Sequence, residues 1–444
     1  MIRLVFLDLR DHAATWIGAF AVAVACGYIG GWVVSLAVTL EPYPRLRDLG
    51  WTILLFSSVA AIAVLMTTAN LTVSAQRRSY ALWQLANVSP RQVSRVVLAQ
   101  LATVAVLGAA CGTLLEAAMF EPLFPWVFSS PDYQPIDQVV CQVGAPLLPL
   151  VWLVVAAVFA LGGLKGARSA GRTSPMTALR EPEPVRKGVT ALRLLLFAAL
   201  AFGTVQLAAS LFGADLRDLG KSLYLPLLLV ATLVPVASAV LSALLAAWTR
   251  LVPQRRWNAW YLARHTARYG LAASTSVEMP VVVGFSLVAG IFSLGTLLEG
   301  YIRQHGLVDY SATLDWTTAV LLLGGPILLC AVGAAVSVVM TSKSRARDVA
   351  LLVASGAHPR TLVAAAACEA LIHVATATLV GAAVVAASNG IVASAVGLPP
   401  FDGLSFGEGF VVSLAGFALV LAATLVPTCA ALARDIAPAL TAGE

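Results

Sequence analysis

Charge is what this chain has least of. Only 11% of its 444 residues are Asp, Glu, Lys or Arg, while 59% are hydrophobic, and the mean hydropathy is +0.88. A typical soluble domain carries about 25% charged residues, so a soluble enzyme or scaffold is excluded on surface coverage alone. Cysteine is sparse as well. Cys26, Cys111, Cys141, Cys330, Cys368 and Cys429 stand singly, none in a CxxC pair. Nearly all fall in apolar runs, where Cys behaves as a small hydrophobe, so neither a disulfide framework nor a metal site is expected. A nucleotide-binding loop is also missing. The nearest match to G-x-x-x-x-G-K-[ST] runs from Gly213 to Ser222, with six residues between its glycines where four are required. No catalytic residue and no cofactor of its own are therefore expected. The opening segment MIRLVFLDLRDHAATW has no small-residue cleavage site and carries Asp8 and Asp11. It reads as a short amphipathic helix leading into a span, not as a secretory signal.

What fills the chain instead is apolar sequence. Ten stretches are long enough to cross a hydrocarbon layer of ~30 Å at ~1.5 Å per residue. They lie near Thr15–Leu40, Trp51–Val73, Val93–Met119, Cys141–Leu164, Ala191–Phe212, Leu223–Trp248, Pro280–Leu298, Trp316–Met340, Thr361–Ser388 and Gly409–Ala431. With both termini cytoplasmic, the outer loops hold only Arg45, Arg47, Arg217, Lys221 and Arg303; the other 23 of 28 basic residues fall inside. This positive-inside bias sets the orientation and accounts for the net charge of +6, so nucleic acid is not an expected partner. The outer loops are short and acidic, the longest running from Phe120 to Val140, and none could fold as a large domain.

The organisation is four spans, two spans, four spans. The first block is 1–188, a central hairpin is 189–250, and the second block is 251–444, with a Pro- and Arg-rich linker from Arg172 to Lys187. The blocks share a connector at an offset of 269 positions: RRSYALWQLANVSPRQVSRVVLAQ from Arg77 and ARDVALLVASGAHPRTLVAAAACE from Ala346. Arg78 matches Arg347, Ala81-Leu82 matches Ala350-Leu351, Pro90-Arg91 matches Pro359-Arg360, Gln100 stands opposite Glu369, and Gly112 matches Gly381. An even number of spans separates the copies, so they point the same way, which is the signature of parallel repeats about an axis along the membrane normal. Each copy predicts an elbow: a short amphipathic helix lying in the membrane surface, a stop at Asn87 or Gly356, and a restart at Ser89-Pro90 or His358-Pro359.

Both copies resemble the signature of FtsX-like permeases, the membrane subunits of the MacB-type ABC transporter superfamily. The second copy keeps the acid (Asp348), the small-apolar pair (Ala350-Leu351), the glycine (Gly356) and the glutamate (Glu369) of that pattern. The first has Ser79, Asn87 and Gln100 in place of the acid, the glycine and the glutamate, and Gln84 and Val353 replace the usual basic residue. The resemblance implies that each elbow is a coupling helix docked on a separate cytoplasmic ATPase, with ATP and Mg on that partner and two ATPase copies per permease chain. The implied contacts are Arg78, Ala81, Leu82, Leu85, Asn87, Pro90 and Arg91, then Arg347, Ala350, Leu351, Gly356, Pro359 and Arg360. It further implies a bacterial cell membrane and export or extraction of a hydrophobic or amphiphilic substrate, such as a drug, an antimicrobial peptide or a lipid-like molecule.

Three intramembrane polar residues are candidates in their own right: Glu116, Glu369 and His373. As a functional set they would be a proton relay or a cation site. As structural residues, Glu116 reaches outer water while Glu369 fixes the elbow, with His373 one turn on sharing its face. Two rivals to the ABC reading follow: a proton-coupled secondary transporter built on these three, and a signalling subunit that relays ATPase motion. Gly27, Gly30, Gly31 and Gly381 read as close-packing positions.

Overall fold

The computed structural model describes residues 7–10, 12–42, 44–127, 140–172, 191–213, 219–252, 257–269, 271–306 and 316–433. Among these residues there is no strand, as expected for a chain whose peptide groups must bond within their own segment when they leave water. The helices are α1 (Ala13–Thr39), α2 (Pro44–Ala75), α3 (Arg77–Leu85), α4 (Pro90–Val127), α5 (Leu148–Arg172) and α6 (Ala191–Leu211). They continue with α7 (Tyr224–Trp248), α8 (Asn258–Tyr269), α9 (Leu271–Gln304), α10 (Trp316–Ala354), α11 (Pro359–Ala395) and α12 (Gly407–Leu432). Ten of them, all but α3 and α8, are long and apolar enough to cross a membrane, and they coincide with the ten expected stretches. The chain is an all-α protein of the multi-pass membrane type.

Packing divides the chain into two compact units, Met1–Val185 with Asp315–Met340, and Arg186–Leu314 with Thr341–Glu444. The eighth apolar stretch thus packs with the first four, although chain order places it in the second block. It does so along α2: Gly325 lies against Ser57, Gly333 against Val64, and the Thr72 hydroxyl faces Met340 Sδ at 3.8 Å. Each of these pairs is separated by 268 or 269 positions, the spacing of the repeated connector. The helix α10 itself runs unbroken past Met340 to Ala354 and so belongs to both units.

Within each unit one parallel helix pair forms the centre. In the first, α1 and α4 approach so closely that a Cβ on Gly112 would sit 2.7 Å from the Tyr28 amide nitrogen. In the second, α9 and α11 meet through Phe285, Ala289 and Val385, and further along through Leu294, Leu297, Val392 and Ala393. Gly381, the match of Gly112, makes room there for the Phe285 ring. Gly27 lies on Ala109, Gly30 on Val151 and Gly31 on Glu116, so these glycines do serve close packing, one of them to admit a carboxylate. The outer members differ sharply in burial. The most apolar window of α9 is 78% buried and that of α6 only 11%, which makes α9 a core helix and α6 a peripheral one facing the apolar solvent.

Backbone-on-backbone contact leaves no room for a side chain, so Gly112→Val should cost about 1–3 kcal/mol by overpacking. Gly50, with open space around its Cβ position, provides the control: Gly50→Ala should be neutral or stabilising by about 0.5–1 kcal/mol. Thermal unfolding of the purified variants in one detergent reads both. Equal melting of Gly112→Val and wild type would refute the close approach.

Candidate functional site: two elbows and the polar clusters at their feet

The two connectors build the same turn. In the first, α3 ends with Ala86 N–H donating to Leu82 O at 3.0 Å, Asn87 N–H to Gln84 O at 3.0 Å and Val88 N–H to Trp83 O at 3.0 Å. In the second, Ser355 N–H donates to Leu351 O at 3.0 Å, Gly356 N–H to Val353 O at 2.9 Å and Ala357 N–H to Leu352 O at 2.9 Å. This pair of backward bonds is the Schellman stop, and it requires a left-handed residue at its hinge. Asn87 takes φ +67°, the only positive φ outside glycine among the described residues, and Gly356 takes φ +93°. Asn serves in the first copy because its short polar side chain tolerates that region better than any other non-glycine type.

The restarts also match. Ser89 and Gln92 form a capping box, Ser89 Oγ accepting from Gln92 N–H at 3.4 Å and Gln92 Oε1 from Ser89 N–H at 3.1 Å. His358 caps the second restart, its Nδ1 accepting from Arg360 N–H at 3.3 Å. Pro90 and Pro359 open the following helices, where a missing N–H costs nothing. One expectation is corrected. The second copy has no separate surface helix, because TSKSRARDVALLVA contains no breaker and simply prolongs α10 to Ala354. The first copy does break, at Gln76 between α2 and α3.

The residues carried over from the resemblance divide into two groups. Ala81 and Ala350 are buried against their own units, whereas the adjoining Leu82 and Leu351 are 50% and 48% exposed. Leu85, Asn87, Pro90, Arg91, Gly356, Pro359 and Arg360 are exposed too. Arg78 and Arg347 are helical, but their side chains lie outside the described residues. The small residue of each pair therefore seats the elbow, and the leucine is presented outward.

Behind each elbow lies a buried polar cluster, and the matched position 100/369 belongs to both. In the first unit, Gln100 Nε2 donates to Asp8 Oδ2 at 2.7 Å, and Tyr80 on α3 donates to Gln76 Oε1 at 2.5 Å with Gln100 Oε1 at 3.4 Å. Asp8 also meets His12 Nδ1 at 3.1 Å. Burial, and then the Asp8 charge, push the Tyr80 hydroxyl well above the ordinary tyrosine range, so it stays a donor. The cluster ties the N-terminal segment, the elbow and the third apolar helix together.

In the second unit the members are ionisable. His373 Nδ1 lies 2.7 Å from Glu278 Oε1 on α9, and His373 Nε2 lies 3.6 Å from Glu369 Oε1. All three are buried. The shared face of Glu369 and His373 was legible in their spacing. Glu278 was missed, because the expected span began at Pro280; an acid two residues before an apolar stretch was the available signal. Asp8 was seen only as a mark against a signal peptide. Glu116 departs from its water-reaching reading: it is 0% exposed, both its oxygens lack a hydrogen-bond partner, and it sits over Gly31. Its helix α4 continues past it to Val127. Among the described residues no group of His, Cys, Asp and Glu has the arrangement of a metal site.

No protein-family model matches the chain, and no curated protein matches it.

Two substitutions test this geometry. Asn87→Ala should cost about 1–2 kcal/mol through its left-handed φ, whereas Asn87→Gly should be neutral or better; the opposite order in a thermal melt would sink the assignment. His373→Leu strands the buried Glu278 carboxylate, takes one partner from Glu369, and should cost about 3–5 kcal/mol. Replacing Glu278, His373 and Glu369 together by leucine should recover most of that loss, since no unpaired charge remains. A triple variant as unstable as the single one would show that the cluster does not act as an ionic unit.

Proposed function

We propose that the chain is the transmembrane permease subunit of an ATP-binding cassette transporter of the FtsX/MacB type. The observation that carries this reading is the pair of elbows, built with the same turn hydrogen bonds and presenting Leu82 and Leu351 outward beside a buried alanine. A single amphipathic loop at a membrane surface needs no partner. Two loops at matched positions, each stopped and restarted in the same way, are what a motor with two equivalent grooves requires. In this reading the contacts are made by Leu82, Leu85, Leu351 and the rim of Arg78, Arg91, Arg347 and Arg360, while Ala81 and Ala350 seat the helices.

The register of α2 on α10 supports two half-permeases in one chain. Helices related by a two-fold axis along their length meet at equivalent residues, and these two meet at the offset of the repeat. The arrangement is then 4+2+4, with both elbows and both termini cytoplasmic in a bacterial membrane and one chain serving two ATPase subunits. ATP and Mg act on that partner, and this chain transmits the motion to its helix bundle. Short outer loops favour a hydrophobic or amphiphilic substrate taken from the membrane or its surface. The Glu278–His373–Glu369 cluster favours a second reading, proton-coupled transport without a motor.

Leu82→Asp combined with Leu351→Asp should abolish stimulation of the ATPase by the permease, by tenfold or more for loss of about 1.4 kcal/mol of docking energy, and leave the permease folded. ATPase assays in proteoliposomes, with circular dichroism as the folding control, measure this. Wild-type coupling in that variant would refute the docking role. Substrate movement driven by a proton gradient with no ATP or ATPase present would favour the second reading instead.

A further inference from the structure

The second unit contains a buried cation for which nothing so far accounts. Arg264, on α8, is 5% exposed, and its Nε has no hydrogen-bond partner. The charges that act on it are Arg268, one turn later, and Arg250, just past the end of α7. Burial first, then these two like charges, press the guanidinium below the ordinary arginine range. An arginine under that pressure cannot shed its proton near neutrality, so it needs an anion.

One turn before it, on the same face of α8, Trp260 is 3% exposed and its indole N–H also lacks a partner. Two orphaned donors on one helix face point to an acceptor that no described residue supplies. Their surroundings say of what kind. Trp260 stacks on Trp257 with ring centroids 6.1 Å apart and meets Trp248 edge-on at 5.9 Å. Trp248 is in turn held by its indole N–H donating to Thr376 Oγ1 at 2.9 Å. Clustered tryptophans beside arginines, at the junction of an apolar helix and a short amphipathic one, mark the headgroup level of a membrane. The end of α7 next to this junction is apolar and partly exposed, with Ala243, Ala247 and, just beyond it, Leu251 open, and offers a surface for acyl chains.

We propose that Arg264, with Arg250 and Arg268 at its rim, binds the phosphate of an anionic phospholipid at the junction of α7 and α8. The ligand chemistry is a phosphate oxyanion, and the adjoining apolar flank selects the membrane lipid over the free ion. Because α8 packs on α11 through Trp260, Ala263 and Ala267 against Cys368 and Ile372, the bound lipid would brace the helix that carries Glu369 and His373. This inference stands apart from the transporter assignment and would hold under either reading of it.

The test uses the full chain purified in a neutral detergent, titrated with phosphatidylglycerol, phosphatidylcholine or inorganic phosphate and followed by native mass spectrometry and thermal melting. Wild type should bind phosphatidylglycerol about tenfold or more tightly than phosphatidylcholine and gain melting temperature from it. Arg264→Met should lose that preference and that gain, yet melt no lower than wild type without lipid, since an unpaired charge has gone. Should it fail to fold, Arg250→Gln with Arg268→Gln, which leaves the buried residue in place, must weaken phosphatidylglycerol binding severalfold. Undiminished phosphatidylglycerol preference in Arg264→Met, or in the rim pair, would overturn the site. Inorganic phosphate binding as well as the lipid would overturn its assignment to a lipid.

Discussion

A hydrocarbon layer offers no hydrogen bonds, and that single constraint organises this molecule. It forces the peptide groups of ten long segments into helices, because only a helix satisfies them within its own segment. It removes the hydrophobic drive between helices, so association falls to close packing, and the central pairs of both units meet at a matched glycine. It also makes every buried polar side chain costly unless a partner is near. Several of the polar groups that persist are gathered into clusters, and the matched position 100/369 behind the elbows belongs to one in each unit.

Spans and turns were legible in the sequence because both are local. A run of apolar residues states its own length, and Asn87 or Gly356 followed three residues later by a proline states a stop and a restart without reference to any other part of the chain. Side-chain partners were legible only where helical spacing supplied them, as for Glu369 and His373. Gln100 with Asp8 and His373 with Glu278 lie 92 and 95 positions apart, and no periodicity connects them. The burial of Glu116 was hidden for a related reason. Whether a carboxylate late in an apolar stretch reaches water depends on how far its helix continues, and α4 continues through Pro122 and Pro125, residues that on sequence alone argue for an end.

The packing of α10 shows a different limit. Chain order groups the eighth apolar stretch with its sequence neighbours, yet it lies along α2. Nothing in either stretch announces this, since both are evenly apolar and carry no charge to specify a partner. What is observed is a register: Ser57 faces Gly325, Val64 faces Gly333 and Thr72 faces Met340, at separations of 268 or 269 positions, within one residue of the offset between the two connectors.

The elbows share a backbone but not a chemistry, and the difference follows from one substitution. With Gln at position 100, the first cluster is a hydrogen-bonded set holding one carboxylate, and it clamps the elbow helix directly through Tyr80. With Glu at position 369, the second holds two carboxylates with His373 between them, its Nδ1 2.7 Å from Glu278 on α9 and its Nε2 3.6 Å from Glu369. The first cluster therefore fixes an elbow to its own helix bundle, while the second fixes one core helix to another. The first set bonds the elbow helix directly at its foot through Tyr80, whereas the second lies on α11 and links it to α9, the two most buried spans of their unit. The two turns match in backbone, and the residues beneath them tie each unit together in a different way.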